Sequence, residues 1–122
     1  MAEVYFLGTG NAFSPPGRMH ALALIDSKIL IDCPPTVIPQ LIRGTCLPSE
    51  IKHLLITHWH ADHTFGLPFL LLNRKWMPSQ ESDGQKLEIH LEENGIEILS
   101  NLCRIGYPGS LEDFIKKDII WR

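Results

Sequence analysis

The segment from Thr57 to His63 places three histidines and one carboxylate within six consecutive positions, at His58, His60, Asp62 and His63. Imidazole and carboxylate groups are good ligands for zinc and similar divalent metals. In an extended segment, side chains two positions apart point the same way, so His58 and His60 can face one point. Asp62 and His63 follow where the chain turns, and they can face a second point nearby. This spacing predicts two adjacent metals.

Two other interpretations of the histidine segment stay open. The first is a histidine-rich surface loop that binds no metal. It is disfavoured because charged imidazoles crowded beside a buried strand would repel one another. The second is a single-metal site, which would leave one carboxylate and one imidazole nearby without a role.

The histidine segment must be positioned by the elements around it. The apolar run Leu54–Ile56 predicts a strand over His53–Thr57 that is buried on both faces, and an apolar helix is predicted at Gly66–Trp76. Strands alternating with helices indicate a layered α/β architecture. The other predicted elements are strands at Val4–Leu7, Ala21–Ile25, Lys28–Ile31, Leu87–Leu91 and Ile119–Trp121, helices at Pro34–Arg43 and Gly95–Ile105, a polar turn at Ser79–Gln85, and a short helix begun by a capping box at Ser110–Asp113.

Further candidate site residues lie outside the histidine segment. Gly8, Thr9 and Gly10 could approach a phosphate through their backbone N–H groups, although a tight turn that needs glycine is the favoured interpretation. Arg18 could contact substrate, or it could lie in an ordinary surface loop. Asp32 follows a strand and could orient a ligand histidine or cap the next helix, two alternatives of equal weight.

Three other side chains near the predicted strands have structural interpretations. Trp59 lies between His58 and His60, so its ring should point away from them and pack or line the cleft. His53 precedes an apolar run, and His90 alternates with apolar residues on a strand. We therefore expect all three to contribute to packing rather than to chemistry.

Composition limits the class of protein. The chain has 122 residues, 44% of them hydrophobic, and a net charge of −3, which fits one modest globular domain without a nucleic-acid-binding tail. We expect no membrane span and no secretory signal, because no apolar run is long enough. The three cysteines are widely spaced and are predicted to be buried thiols in a reducing compartment, so a cytoplasmic location is expected.

The pattern His-x-His-x-Asp-His resembles the signature of the metallo-β-lactamase superfamily. The residues before it, Ile56-Thr57, and after it, Gly66-Leu67-Pro68, are similar to the ribonuclease Z branch, as are the opening Phe6–Gly10 and Ile31–Cys33. Further matches to that branch are Ala12 and Arg18. The resemblance runs in order from Val4 to about Leu72 and continues weakly to Cys103.

This resemblance implies roles for the histidine segment. His58 and His60 would bind one zinc, and Asp62 and His63 the other, with manganese or iron as alternative metals. A hydroxide bridging the two metals would be the nucleophile, and Asp62 could also accept its proton. The superfamily fold is a four-layer αββα sandwich whose second half supplies the remaining metal ligands. We therefore expect residues 1–122 to be a fragment that forms the N-terminal half of one such domain and is too incomplete to act alone.

The resemblance also implies a function for the parent protein. We expect a zinc-dependent hydrolase, in particular a phosphodiesterase whose substrate could be RNA, and a homodimer is a further expectation because members of the branch commonly form dimers. Two alternatives stay open. One is a hydrolase of lactones, thioesters or β-lactams on the same fold, and the other is an inactive half-domain that serves in metal binding or assembly.

Overall fold

A computed structural model describes residues 2–78 and 85–122 of the chain. Its strands are β1 (Val4–Gly8), β2 (Leu22–Ile25), β3 (Ile29–Ile31), β4 (His53–Leu55), β5 (Leu87–His90) and β6 (Ile119–Trp121). Its α-helices are α1 (Val37–Arg43), α2 (Ala61–Thr64), α3 (Leu67–Trp76), α4 (Gly95–Gly106) and α5 (Glu112–Asp118), and a 3₁₀ turn spans Pro48–Glu50. The predicted polar turn at Ser79–Gln85 lies, apart from Gln85, outside the described residues.

One six-stranded sheet carries these elements, and its spatial order β1-β2-β3-β4-β5-β6 is the same as the order along the chain. The pairs β1–β2 and β2–β3 are antiparallel, whereas β3–β4, β4–β5 and β5–β6 are parallel. Asp26, Ser27 and Lys28 join β2 to β3, and Lys28 N–H donates to the Ile25 carbonyl at 3.0 Å. Asp26 and Ser27 have φ values of 52° and 58°, the left-handed backbone that a tight hairpin turn requires. The strands predicted at Ala21–Ile25 and Lys28–Ile31 thus pair as a hairpin.

The core lies between the helices and one face of the sheet. Alternate strand residues such as Leu24, Leu30, Leu54 and Ile89 are buried, and they pack with buried leucines of the helices. The other two residues of β4, His53 and Leu55, are only partly buried, and the first three residues of β1 are exposed. The prediction that β4 is buried on both faces is wrong for this chain, because the described helices contribute to packing on one face only.

Two predicted helix starts also need correction. Helix α1 begins at Val37, three residues after the predicted start, because it follows the Pro34-Pro35 pair and the residue before a proline is disfavoured in helical geometry. The capping box predicted at Ser110 does not form. Helix α5 begins at Glu112, and Leu111 occupies the cap position without a side-chain cap hydrogen bond.

Candidate metal centre

The histidine segment follows β4 and continues into the single turn of α2, so it lies at the carboxyl ends of the parallel strands. Strand β4 ends at Leu55, and Thr57 turns away from the sheet to donate its backbone N–H to Asp32 Oδ1 at 2.8 Å. Side chains gathered after parallel strands meet at one edge of a sheet, where open α/β sheets bind their ligands.

Asp32 is the central acceptor of this edge. Its side chain is 6% exposed and accepts hydrogen bonds from the Thr57 hydroxyl at 2.7 and 2.9 Å and from Thr57 N–H. Its Oδ2 atom also lies 2.7 Å from His63 Nδ1. Asp32 has a φ of 69°, a left-handed conformation that aspartate tolerates better than most residues but that still stores strain. The capping alternative for Asp32 is wrong, since Thr36 precedes α1 and no side chain caps it.

His63 is oriented by carboxylates on both ring nitrogens. Its Nδ1 atom faces Asp32, while its Nε2 atom lies 3.1 Å from Asp62 Oδ2. The backbone also holds it, because Cys33 N–H donates to the His63 carbonyl at 2.8 Å. An imidazole fixed by a carboxylate at one nitrogen presents the other nitrogen in a defined direction, as metal-binding histidines do.

His58 and His60 lie beside His63 but are more exposed. The His58 ring centroid is 3.9 Å from that of His63 and 4.9 Å from that of His60. His58 Nδ1 is 3.1 Å from the Thr57 hydroxyl. The structure thus brings the four predicted ligands, His58, His60, Asp62 and His63, together.

The grouping does not by itself complete a metal site. Within residues 2–78 and 85–122, no set of three or more histidine, cysteine, aspartate or glutamate side chains is arranged to hold a metal ion. The donor chemistry nevertheless suits a divalent metal. Asp62 Oδ2 and His63 Nε2 are 3.1 Å apart, close to the separation of roughly 3.3 Å that two ligands of one tetrahedral zinc would have.

Close packing explains why glycine stands at positions 8 and 10. A Cβ atom on Gly8 would lie 2.1 Å from the His20 carbonyl, and one on Gly10 would lie 2.6 Å from the Met19 carbonyl. The side chain of Gln40, which is buried, donates to the Leu7 and His20 carbonyls and locks the same approach. Gly8 is the last residue of β1 and Gly10 forms an isolated bridge with His20, so the predicted tight turn does not form. Glycine is needed at both positions because two backbone segments touch.

The remaining predicted substrate contacts are only partly gathered near Asp32. Gly8, Thr9 and Asp32 line one open depression of about 250 Å³, together with Phe6, Ala21, Leu22, Ala23 and Ile31. Neither Gly10 nor Arg18 lines it, and Arg18 is exposed in the loop before β2.

Sequence reasoning missed Thr57 as a member of the site. Its hydroxyl and N–H both bind Asp32, which joins the ends of β3 and β4. The signal was present, because Thr57 directly precedes the first histidine, but its partner lies 25 residues away. His53 and His90 form a separate pair, with Nδ1 and Nε2 3.1 Å apart, that lies on the sheet rather than in the histidine segment.

Comparison with solved structures defines the class of protein. The chain matches human tRNase Z, short form, with a TM-score of 0.72 and 28% identity, over 87% of this chain and 40% of that one. It matches the metallo-β-lactamase-fold protein YhfI of Bacillus subtilis with a TM-score of 0.71 and 17% identity, over 100% of this chain and 45% of that one. The chain is a ribonuclease Z-like partial domain of the metallo-β-lactamase fold, so the predicted resemblance and α/β fold class are confirmed.

The family is defined more narrowly by sequence. A family model described as anti-Pycsar protein Apyc1 matches residues 2–110, and the chain belongs to that family. Ribonuclease Z of Pyrococcus abyssi is 34% identical over 110 residues, which are 88% of this chain but 34% of that protein. The chain therefore spans about a third of the length of the curated relatives it matches. Among the described residues, no helix has the length and apolar character needed to cross a membrane.

Proposed function

We propose that this chain provides the first half of the active centre of a metal-dependent phosphodiesterase. His58 and His60 would hold one divalent metal, and Asp62 and His63 the second. The observation that carries the proposal is the position of His63, whose Nδ1 is 2.7 Å from Asp32 and whose Nε2 is directed toward Asp62. That arrangement is the one a metal-binding histidine needs.

The metal and the residues of the chain would have separate roles in the reaction. A bound zinc supplies an acidified water and charge stabilisation, and manganese or iron could serve in its place. Asp62 would hold the attacking water by a hydrogen bond and accept its proton. Its carboxylate lies beside His63 and is only partly buried, so a water molecule can reach it. Asp32 and Thr57 would keep His63 in a single tautomer, with its proton on Nδ1 and its unprotonated Nε2 on the side of Asp62.

The substrate class rests on similarity. Ribonuclease Z of Pyrococcus abyssi and human tRNase Z, short form, are named for action on RNA, and both are about 30% identical to this chain. We therefore propose a phosphodiester substrate, with RNA as one candidate. The net charge of −3 implies that any RNA would be recognised by a local surface rather than by overall attraction.

A second candidate function is a half-domain that binds metal or assembles with a partner without turnover. It is favoured by one observation, which is that no complete set of metal ligands exists among the described residues. A lactone, thioester or β-lactam hydrolase remains the enzymatic alternative, since the same metal chemistry could serve it.

The experiment that separates these functions measures bound metal and turnover together. Gel-filtered wild-type protein and a His60→Ala variant are analysed for zinc per chain, then assayed on an aryl phosphodiester and on a thioester. Zinc that the wild-type chain binds and the variant loses supports the proposed ligand set, and phosphodiester turnover would support the proposed activity directly. Thioester turnover alone supports the alternative hydrolase, and zinc without turnover on either substrate fits half of an active centre as well as the half-domain. Equal zinc in both samples contradicts the proposed ligand set.

A further inference from the structure

The indole ring of Trp59 lies in a space that is open because Gly95 has no side chain, and this space is called the seat of Trp59. A Cβ atom built on Gly95 would lie 1.9 Å from Trp59 Cη2, 2.5 Å from Cζ2 and 2.7 Å from Cζ3. All three atoms belong to the outer ring of the indole. Gly95 is buried at the first position of α4, so the indole lies directly against the start of that helix.

The seat is placed where it can control two predicted ligands. Trp59 lies between His58 and His60, and side chains of consecutive extended residues point to opposite sides. A ring fixed on one side of the segment therefore sets the direction of its two neighbours on the other. The Thr64 hydroxyl donates to the carbonyls of Trp59 and His60 at 3.3 and 3.1 Å, which holds the backbone of the same segment.

His58 and His60 need such a support more than His63 does. His63 is held by the carboxylate of Asp32, whereas His58 and His60 are exposed. The partly buried indole is packed against the core and is the largest side chain of the segment. Its contact with α4 joins the histidine segment to an element 36 positions further along the chain.

We propose that Gly95 is a positioning residue for His58 and His60, acting through the seated ring of Trp59. This inference rests on the proposed function, in which those two histidines are metal ligands. The φ of Gly95 is not in the left-handed region, so alanine would fit its backbone. The three heavy atoms nearest to a methyl group at this position all belong to the indole.

The test is a double-mutant cycle on the full 122-residue chain. Gly95→Ala, Trp59→Phe and the double variant are compared by NMR of the imidazole Cε1–H signals and by zinc titration against a chromophoric chelator. Phenylalanine lacks the outer indole atoms that meet the new methyl group. Gly106→Ala is the matched control, because it lies at the other end of α4, where a Cβ would meet only Pro68 side-chain atoms at 3.2 and 3.3 Å.

Gly95→Ala is expected to shift the His58 and His60 signals, to leave those of His20 and His53 unchanged, and to weaken zinc binding about tenfold or more. In the Trp59→Phe background, adding alanine at residue 95 should change neither readout. Trp59→Ala empties the seat while Gly95 stays intact, and it should reproduce the histidine shifts even if Gly95→Ala fails to fold.

The inference is overturned if Gly95→Ala leaves His58 and His60 unchanged, if it acts equally in both backgrounds, or if Trp59→Ala has no effect on the two histidines. The failure of the proposed function looks different. In that case wild-type protein takes up no zinc, and the NMR cycle still shows whether Gly95 positions the two side chains.

Discussion

Two polar networks close opposite ends of the parallel strands, and they are built in different ways. At the carboxyl ends, Asp32 accepts a hydrogen bond from the Thr57 hydroxyl and lies beside His63 Nδ1. The His58 and His60 rings stay exposed. At the amino ends, Arg74 is 6% exposed and every nitrogen of its guanidinium is engaged. It donates to the Pro48 and Ile51 carbonyls at 3.1 and 2.7 Å, to Gln85 O at 3.1 Å and to Asp118 Oδ2 at 2.9 Å.

The Arg74 network is a structural clamp. Ile51 precedes β4, Gln85 precedes β5 and Asp118 precedes β6, so one side chain of α3 ties together the starts of three strands. The Asp32 network joins two strands to the histidine segment instead. At the amino ends every guanidinium nitrogen of Arg74 is engaged in holding the fold, whereas at the carboxyl ends the His58 and His60 side chains stay exposed.

The largest effect is expected at the clamp. Replacing Arg74 with methionine would leave the largely buried Asp118 carboxylate and the buried Pro48 and Ile51 carbonyls without their donor. Removing one partner of a buried pair typically costs about 3–5 kcal/mol of unfolding free energy. Urea unfolding measures this loss. Arg104→Ala, which removes an exposed bond to Asn101, is the control and should change stability by less than about 0.5 kcal/mol.

The next effect is expected at Asp32. Asparagine keeps the tolerance for a left-handed backbone but cannot hold the His63 proton with a charged acceptor. We expect Asp32→Asn to lower zinc affinity about 10- to 100-fold, with a stability loss of about 1–3 kcal/mol. Asp26→Asn is the matched control, because Asp26 is also left-handed but exposed. Similar losses of zinc affinity in both variants would mean that the effect does not depend on the contact between Asp32 and His63.

A smaller effect is expected at Thr57. Thr57→Val removes the hydroxyl that donates to Asp32 while keeping the shape of the side chain. The expected loss of unfolding free energy is about 0.5–1.5 kcal/mol, measured by thermal or urea unfolding. Thr57→Ser keeps the hydroxyl and should retain most of that stability. An unchanged Thr57→Val variant would mean that the backbone N–H alone holds Asp32.

The smallest effect concerns the thiols, which report local opening at each end. Cys33 adjoins Asp32, whereas Cys46 lies near the β2–β3 turn, with its Sγ 3.7 Å from Ser27 O. Burial raises the pKa of Cys33 well above its usual value and raises the pKa of Cys46 to about 12. Both should resist an aromatic disulfide reagent at pH 8, because the thiolate is the reactive form.

The Asp32→Asn variant tests whether the two ends open independently. It should speed the labelling of Cys33 and leave the labelling rate of Cys46 unchanged. Equal acceleration at both cysteines would show that the two ends open together. The raised pKa values also predict a pH dependence. Unfolded thiols ionise near pH 8.5 while folded ones stay protonated, so stability is full below that pH and falls as the pH rises toward about 12.

The histidine segment and most elements could be predicted because their signals are local. His58, His60, Asp62 and His63 are close in sequence, and β6 and the β2–β3 hairpin lie where the patterns of apolar and turn residues indicate. The roles assigned to these four side chains stay predictions. The one-sided burial of β4 was missed because a run of apolar residues does not tell how many layers cover it.

Contacts between distant residues could not be predicted in the same way. Arg74 binds partners 11 to 44 positions away, and three of its four partners are backbone carbonyls, which carry no residue type in the sequence. The contact between Trp59 and Gly95 likewise depends on the absence of a side chain at one of its two positions. Such contacts between distant residues become visible only in the folded structure.

The identical order of strands in space and along the chain has a consequence for biosynthesis. Each strand pairs with the one made just before it, so a nascent chain can extend the sheet strand by strand as it leaves the ribosome. No strand of this sheet must wait for a partner other than the strand made just before it. The Asp32 edge assembles once Thr57 and His63 have emerged, whereas the Arg74 clamp closes only when Asp118 has been added.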